Sequence, residues 1–172
     1  MGPGMVVKAG VLRFFSIVVF GLTQIALDIE VLCHLARDEY PLHTFWHTYL
    51  GATVVACIIT IIGKPISQWI KSVWNRIATN YRDADLTVSE ETTWFASCTG
   101  AVLGAYSHII LDSLYHPDIQ PLKPWFVHNP LRGIVSPTLV ESVCVLLGII
   151  SVAWFIWGER KRRKANRVRD GN

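Results

Sequence analysis

The residues of this chain best equipped for chemistry are histidines and carboxylates set inside or at the edges of apolar runs. His43 and His47 stand four apart, as do His108 and Asp112, a spacing that stacks two side chains on one face wherever the segment is helical. Asp28, Glu30, His116, Asp118 and Glu141 lie close to the ends of the same runs. An ionisable group inside an apolar span costs about 2.5 to 3.5 kcal/mol even on the gentlest scale, so groups of this kind demand a reason. Imidazoles with carboxylates are the usual ligands of Zn²⁺ and related divalent ions. Such an ion polarises a carbonyl or phosphoryl oxygen and lowers the pKa of water to about 7. On this reading His43, His47, His108 and Asp112 form the ligand set and Asp28 is a further ligand, an orienting carboxylate or a base. His116, Asp118 and Glu141 are reserves. The plainer readings are hydrated imidazoles for His34 and His128, interhelical hydrogen bonds for the two pairs, snorkelling for Glu30 and Glu141, and a turn at Asp118.

The elements that position these groups follow from run length. Hydrophobic residues make up 51% of the 172 and charged residues 17%, with seven Trp, a surplus that needs lipid to cover it. Near-continuous apolar stretches cover residues 11–32, 47–63, 93–115 and 137–157. Each is long enough to cross a core of about 30 Å at 1.5 Å per residue. The first carries Gln24, Asp28 and Glu30 and has no small-residue cleavage site, so it reads as a retained span and not a signal peptide. The expected architecture is therefore all-α: a polytopic membrane protein with about four transmembrane helices in one domain over residues 1–157. Residues 158–172 form a basic cytoplasmic tail. Between spans two and three, Ile66, Trp69, Ile70, Val73, Trp74 and Ile77 recur at helical steps opposite Ser67, Gln68, Lys71, Ser72, Asn75 and Arg76. That pattern, with Pro65 in a first turn, predicts a cytoplasmic interfacial amphipathic helix over 65–79. A capping box at Thr87 and Glu90 would then open span three. Cys33, Cys57, Cys98 and Cys144 are scattered singly and read mainly as small packing residues.

Charge sets the orientation. Lys8 and Arg13, then Lys64, Lys71, Arg76 and Arg82, then the seven basic residues of the tail fall on one side, while only Arg37, Lys123 and Arg132 fall on the other. Both termini are expected to be cytoplasmic, in a multi-pass protein of the plasma membrane. The tail accounts for the net charge of +3 and reads as a solvated basic segment beside anionic headgroups, and nucleic acid is not an expected partner. With this topology Gln24, Asp28, Glu30, His43, His47, His108, Asp112, His116 and Glu141 all fall in the non-cytoplasmic leaflet. The stripe Gly100, Gly104, His108, Asp112 and His116 lets a neighbouring helix come close and hold the His and Asp against protein. Gly21, Gln24 and Asp28 make a similar face on span one.

The segments Asp28-Ile29-Glu30, Pro41 to Ala52 (PLHTFWHTYLGA), Ser107 to Ser113 (SHIILDS) and His116-Pro117-Asp118 resemble the prokaryotic membrane-bound metal-dependent hydrolase-like family, also described as LexA-binding, inner-membrane-associated hydrolases. That family is grouped loosely with phospholipase C and P1 nuclease. The similarity runs from about Gly21 to Gly133. It implies a small multi-span protein with His and Asp metal ligands and hydrolytic activity. The family's Asp-rich element maps to Asp28 and Glu30, which become the candidate catalytic carboxylates, and its His blocks map to His43 with His47 and to His108 with Asp112. His116 completes the candidate metal ligands. Two departures are that the second acid is Glu30 and that His43 and His47 are each followed by Thr.

The function expected is a divalent-metal hydrolase, with zinc as the metal, acting at the outer face on a phospholipid or another membrane-surface ester or phosphodiester. Lys123 or Arg132 would hold a phosphate. Rival expectations are a non-catalytic metal- or partner-binding membrane protein and a small transporter, which would need polar groups through the midplane.

Overall fold

The computed structural model describes residues 14–80, 88, 91–146, 149, 150, 153 and 157, and every regular element among them is α-helical. The chain forms two compact units, one up to Arg132 and one from Gly133 onward. In the first, helix α1 spans Ile17–Ala36, α2 spans Tyr49–Asn80 and α3 spans Trp94–Tyr115. In the second, α4 spans Pro137–Leu146. Helices α1, α2 and α3 are each long and apolar enough to cross a membrane.

Side-chain hydroxyls start all three long helices. Ser16 accepts from the Val19 N–H at 3.3 Å, Thr48 from the Gly51 N–H at 3.0 Å and Thr93 from the Ala96 N–H at 3.1 Å, each satisfying a donor that the first turn cannot. At its end α3 stops at His116, whose N–H still reaches the Asp112 carbonyl at 2.7 Å. Pro117 then disfavours a helical His116 and turns the chain out.

α3 is the spine of the bundle. Its buried residues are Ala96, Ser97, Gly100, Ala101, Gly104, Ala105, His108, Ile109 and Ser113, a stripe of small side chains that packs against both other helices. A Cβ added at Gly100 would strike the Ser16 carbonyl, and one at Gly104 would lie 2.9 Å from the Phe20 carbonyl oxygen. α1 therefore crosses α3 in backbone contact, the close approach expected of the two glycines. Gly21, read as part of the matching face of α1, has open space around it.

Many large apolar side chains point outward, Ile25, Leu32, Ile61, Trp69 and Leu103 among them, while the interior holds Val19, Leu27, Val55, Ile59 and Ile109 together with small and polar residues. So much exposed apolar surface is costly in water and suits lipid.

The structure changes three expectations. α2 runs unbroken through Pro65 to Asn80, so 65–79 continues the second helix and is not a separate interfacial one. The polar face read there is turned inward. Ser67 is buried between the hydroxyls of Ser16 at 3.3 Å and Thr92 at 3.1 Å, Lys71 Nζ donates to Thr92 at 2.9 Å, and the Asn75 amide exchanges two hydrogen bonds with the Val88 backbone. These partners hold the extension to the bundle, which the pattern of apolar residues alone does not reveal. α1 extends to Ala36, beyond the boundary drawn at residue 32, because its late polar residues find partners on other elements. The four cysteines are exposed on outward faces and do not pack as core residues.

Of the fourth expected span, residues 137–146 are helical, as are 149, 150, 153 and 157; its other residues, the tail 158–172 and the Thr87/Glu90 cap lie outside the described residues.

The glycine crossing generates a stability prediction. Gly104→Leu forces the α1 and α3 backbones apart and should cost about 1–3 kcal/mol, seen as a lowered midpoint of thermal unfolding in detergent. Gly21→Ala, with open space, should not lower the midpoint, since Ala is about 0.5–1 kcal/mol better than Gly inside a helix.

Candidate metal centre

One end of the three-helix unit gathers the residues singled out from the sequence. α1 supplies Gln24, Asp28 and Glu30; α3 supplies His108 and Asp112; the segment 41–48 supplies His43 and His47; and the chain after α3 supplies His116 and Asp118. The four-residue spacing of His43 and His47 stacks them on one face only where the segment is helical. They lie instead in irregular chain before α2, with their rings edge-on at 4.7 Å. The helix begins only at Tyr49 because Thr48 caps it, and Gly51 makes room for the preceding loop: a Cβ there would collide with the Phe45 carbonyl.

That loop is shaped by Glu30. Its carboxylate accepts from the Thr44 N–H at 3.1 Å, the Thr44 hydroxyl at 2.6 Å, the Trp46 N–H at 3.0 Å and His47 Nδ1 at 2.9 Å. Two residues along an unfrayed helix from Asp28, Glu30 points to a different side, and all its bonding capacity there goes to the loop and the imidazole.

Asp118 does the same for His43. It accepts from the N–H groups of Leu42 at 2.9 Å and His43 at 3.2 Å and from His43 Nδ1 at 2.9 Å. Burial alone would raise its pKa, but the His43 ring and backbone outweigh burial and hold it below its ordinary value, so it stays ionised.

Gln24 holds the third imidazole. Its amide NH₂ donates to the Gly104 carbonyl and the Ser107 hydroxyl, which leaves its carbonyl oxygen to accept from His108 Nδ1. Sequence reading placed Gln24 on the right face without this role, and read Asp118 as a reserve ligand or turn residue.

Three imidazoles are thus fixed through Nδ1, which leaves Nε2 as the free lone pair. His47 Nε2 and His108 Nε2 are buried and have no hydrogen-bond partner. Each nevertheless lies close to carboxylate oxygen: His108 Nε2 is 3.0 Å from Asp112 Oδ2 and 3.3 Å from Asp28 Oδ1, and His47 Nε2 is 3.6 Å from Asp112 Oδ2. A lone pair facing a carboxylate is repulsive unless a cation or proton lies between. Four donors around a tetrahedral ion at about 2.0–2.1 Å are separated by about 3.3 Å, the middle of these three distances.

The histidine and aspartate groups here could hold a metal ion: Asp28, His47 and His108 offer donor atoms within 4.8 Å of one another, as do His43, His47 and Asp112, and His43, His116 and Asp118. His116 packs its ring 4.2 Å from that of His43, and burial together with the neighbouring His43 lowers its pKa, so it is neutral at neutral pH.

Access to the centre is one-sided. The side chains of His47, His108 and Asp112 are 0%, 10% and 19% exposed, whereas that of Asp28 is 53% exposed. The open side of the cluster is therefore at Asp28. Glu141 belongs to the second unit, on α4. His34 bonds Glu39 at 2.9 Å and Thr44 at 3.2 Å, away from the cluster.

Glu30→Ala strips the loop of its acceptor and leaves the Thr44 and Trp46 N–H groups unpaired. It should cost about 2–3 kcal/mol and lower the thermal midpoint in detergent even in the presence of EDTA; an unchanged midpoint would show that the loop holds itself.

No curated protein and no solved structure matches this chain. Residues 11–171 match the domain of unknown function DUF4184, so nearly the whole chain is covered and it belongs to that family.

Proposed function

We propose that the protein is a divalent-metal hydrolase of the membrane surface, acting on a phospholipid or another lipid-linked ester or phosphodiester. The observation that carries this reading is the pair of buried, unpartnered imidazole nitrogens, His47 Nε2 and His108 Nε2, facing Asp112 and Asp28. The resemblance of residues 28–30, 41–52, 107–113 and 116–118 to the metal-dependent hydrolase-like family supports it.

His47, His108 and Asp112 are the buried ligands, with His43 beside them. Zn²⁺ suits the mixture of imidazole and carboxylate. Bound there, a divalent ion supplies Lewis acidity toward a phosphoryl or carbonyl oxygen and acidifies water. Asp28, on the open side, takes the proton as water adds to phosphorus; the P–O ester bond breaks and the departing oxygen is protonated to the alcohol. Glu30, Asp118 and Gln24 are positioning residues, since each touches the ring edge opposite the donor nitrogen. Lys123 and Arg132 lie in the chain following Asp118 and supply positive charge for a phosphate.

The setting is a lipid bilayer crossed by α1, α2 and α3, with residues 137–157 as a fourth span. The distribution of Lys and Arg favours cytoplasmic termini in a plasma membrane, which sets the centre at headgroup depth in the non-cytoplasmic leaflet. A reporter that works only outside the cytoplasm should stay silent when fused after Asn172; a signal would reverse the orientation.

One observation favours a second reading. Asp28, His47 and His108 offer donors within 4.8 Å of one another and Asp112 approaches both imidazoles, and four protein ligands on one ion would close its coordination and make it structural. Activity separates the two. Zn²⁺-loaded protein in detergent should release product from dioctanoyl phosphatidylglycerol, followed by ³¹P NMR, and EDTA should stop it. Asp28→Asn should lower kcat by about 100-fold or more while metal remains bound. Metal binding with no turnover of phosphodiester or carboxylic ester substrates would establish the structural reading instead.

A further inference from the structure

The loop after Asp118 carries a feature that neither the bundle nor the metal centre uses. It is pinned to the first unit at two places. Ile119 and Pro121 are buried, with the Pro121 carbonyl accepting from the Tyr49 N–H at 2.9 Å, and the buried Asn129 amide donates to the Ser113 carbonyl at 2.9 Å. Between these pins Trp125, Phe126 and Val127 are 68%, 65% and 69% exposed. Three consecutive large apolar side chains held outward by a firmly anchored loop are costly in water and call for a partner.

The backbone and the flanking charge say which partner. The N–H groups of Lys123, Trp125 and Phe126 donate to the carbonyls of Gln120, Leu122 and Leu122 at 3.2, 3.1 and 3.1 Å, and Pro124 has no N–H to satisfy. From 123 to 126 the tip therefore needs no water for its donors, the condition that irregular backbone must meet before it leaves water for a bilayer. Aromatic rings settle at headgroup level. Lys123, exposed at the base of the tip, and Arg132, exposed beyond it, carry the positive charge that complements lipid phosphate. The three long helices expose apolar side chains over lengths that suit a bilayer, so lipid is a partner the unit already requires.

We propose that residues 123–127 insert into the headgroup–acyl boundary of the leaflet bordering the metal centre and set the depth of that centre. The coupling is covalent and hydrogen-bonded. Asp118, just before the loop, accepts from the N–H groups of Leu42 and His43, and Pro121 accepts from Tyr49, so the loop that carries His43 and His47 moves with the tip. That second loop exposes Phe45 and Trp46 directly before the buried His47. For substrate the inference rests on the hydrolase reading and names the source as phospholipid taken from the bilayer. Insertion itself does not depend on turnover.

The test reads the depth of the tip in lipid nanodiscs of phosphatidylcholine and phosphatidylglycerol. In the full chain, with the four exposed cysteines replaced by Ser, Val127→Cys carries a bimane fluorophore while Trp125 and Phe126 remain in place. Lipid bearing a nitroxide near its headgroup should lower the emission about twofold or more, as for a residue at the interface, and iodide in the buffer should have little effect. Quenching by iodide equal to or above that by lipid overturns the proposal, because the tip is then in water. Quenching by neither overturns it as well and makes the tip a contact with protein. Trp125→Ser combined with Phe126→Ser should turn the label toward iodide with the circular dichroism spectrum unchanged. A label still quenched by lipid in that variant overturns the anchoring role, since the fluorophore alone then partitions. No turnover is measured, so insertion can fail while the hydrolase reading stands, and the reverse.

Discussion

Negative charge inside an apolar bundle is the constraint on which the rest of this structure depends. Carboxylates from α1, α3 and the chain after α3 meet where apolar surface surrounds them, and an apolar bundle can tolerate that only if each oxygen has a donor, a proton or a cation. Glu30 and Asp118 meet the demand with backbone N–H groups, which is why two irregular loops fold tightly over the helix ends. Asp28 and Asp112 have only imidazoles to face. The chain thus separates its acids into a pair that builds the loops and a pair left available for chemistry.

The imidazoles connect the two classes. Held at Nδ1 by Asp118, Glu30 or Gln24, each ring transmits the position of its partner to the nitrogen on its far side. An error at Glu30 would therefore be felt at His47 Nε2 although Glu30 does not touch the centre itself. Precision of this kind needs rigid elements behind it, and α3 provides them through backbone contact with α1. The small-residue stripe that closes the helices also presses Gln24 against His108, so packing and ligand orientation are one arrangement.

The two ends of the unit solve the same burial problem by different means. At the far end, Ser16, Ser67, Thr92 and Lys71 link hydroxyl to hydroxyl and to one ammonium, and every member has a partner. That network is satisfied and joins three elements. The His and Asp end is not satisfied by protein alone, since two buried nitrogens remain without a hydrogen bond. A fully paired cluster holds a fold together, whereas an unpaired one is poised for something that is not protein.

Much of this was legible in the residues themselves. Helix α3 follows its apolar run nearly to the residue, because hydrophobic length and the small-residue stripe are local properties of the chain. The pairing of His108 with Asp112 and the close crossing at Gly100 and Gly104 follow from helical spacing in the same way. What tertiary structure decided was whatever depends on a partner distant in sequence. Glu30 reads as a second catalytic acid, and the loop 44–47 folding back onto α1 adds that it accepts from His47 Nδ1. Asp118 looked like a turn residue until Leu42 and His43, some 75 positions earlier, arrived at its carboxylate. Pro65 reads as the first turn of a separate helix, but Ser67, Lys71 and Asn75 find partners at Ser16, Thr92 and Val88 and the helix continues. Periodicity records which face is apolar; it does not record who will meet the polar one.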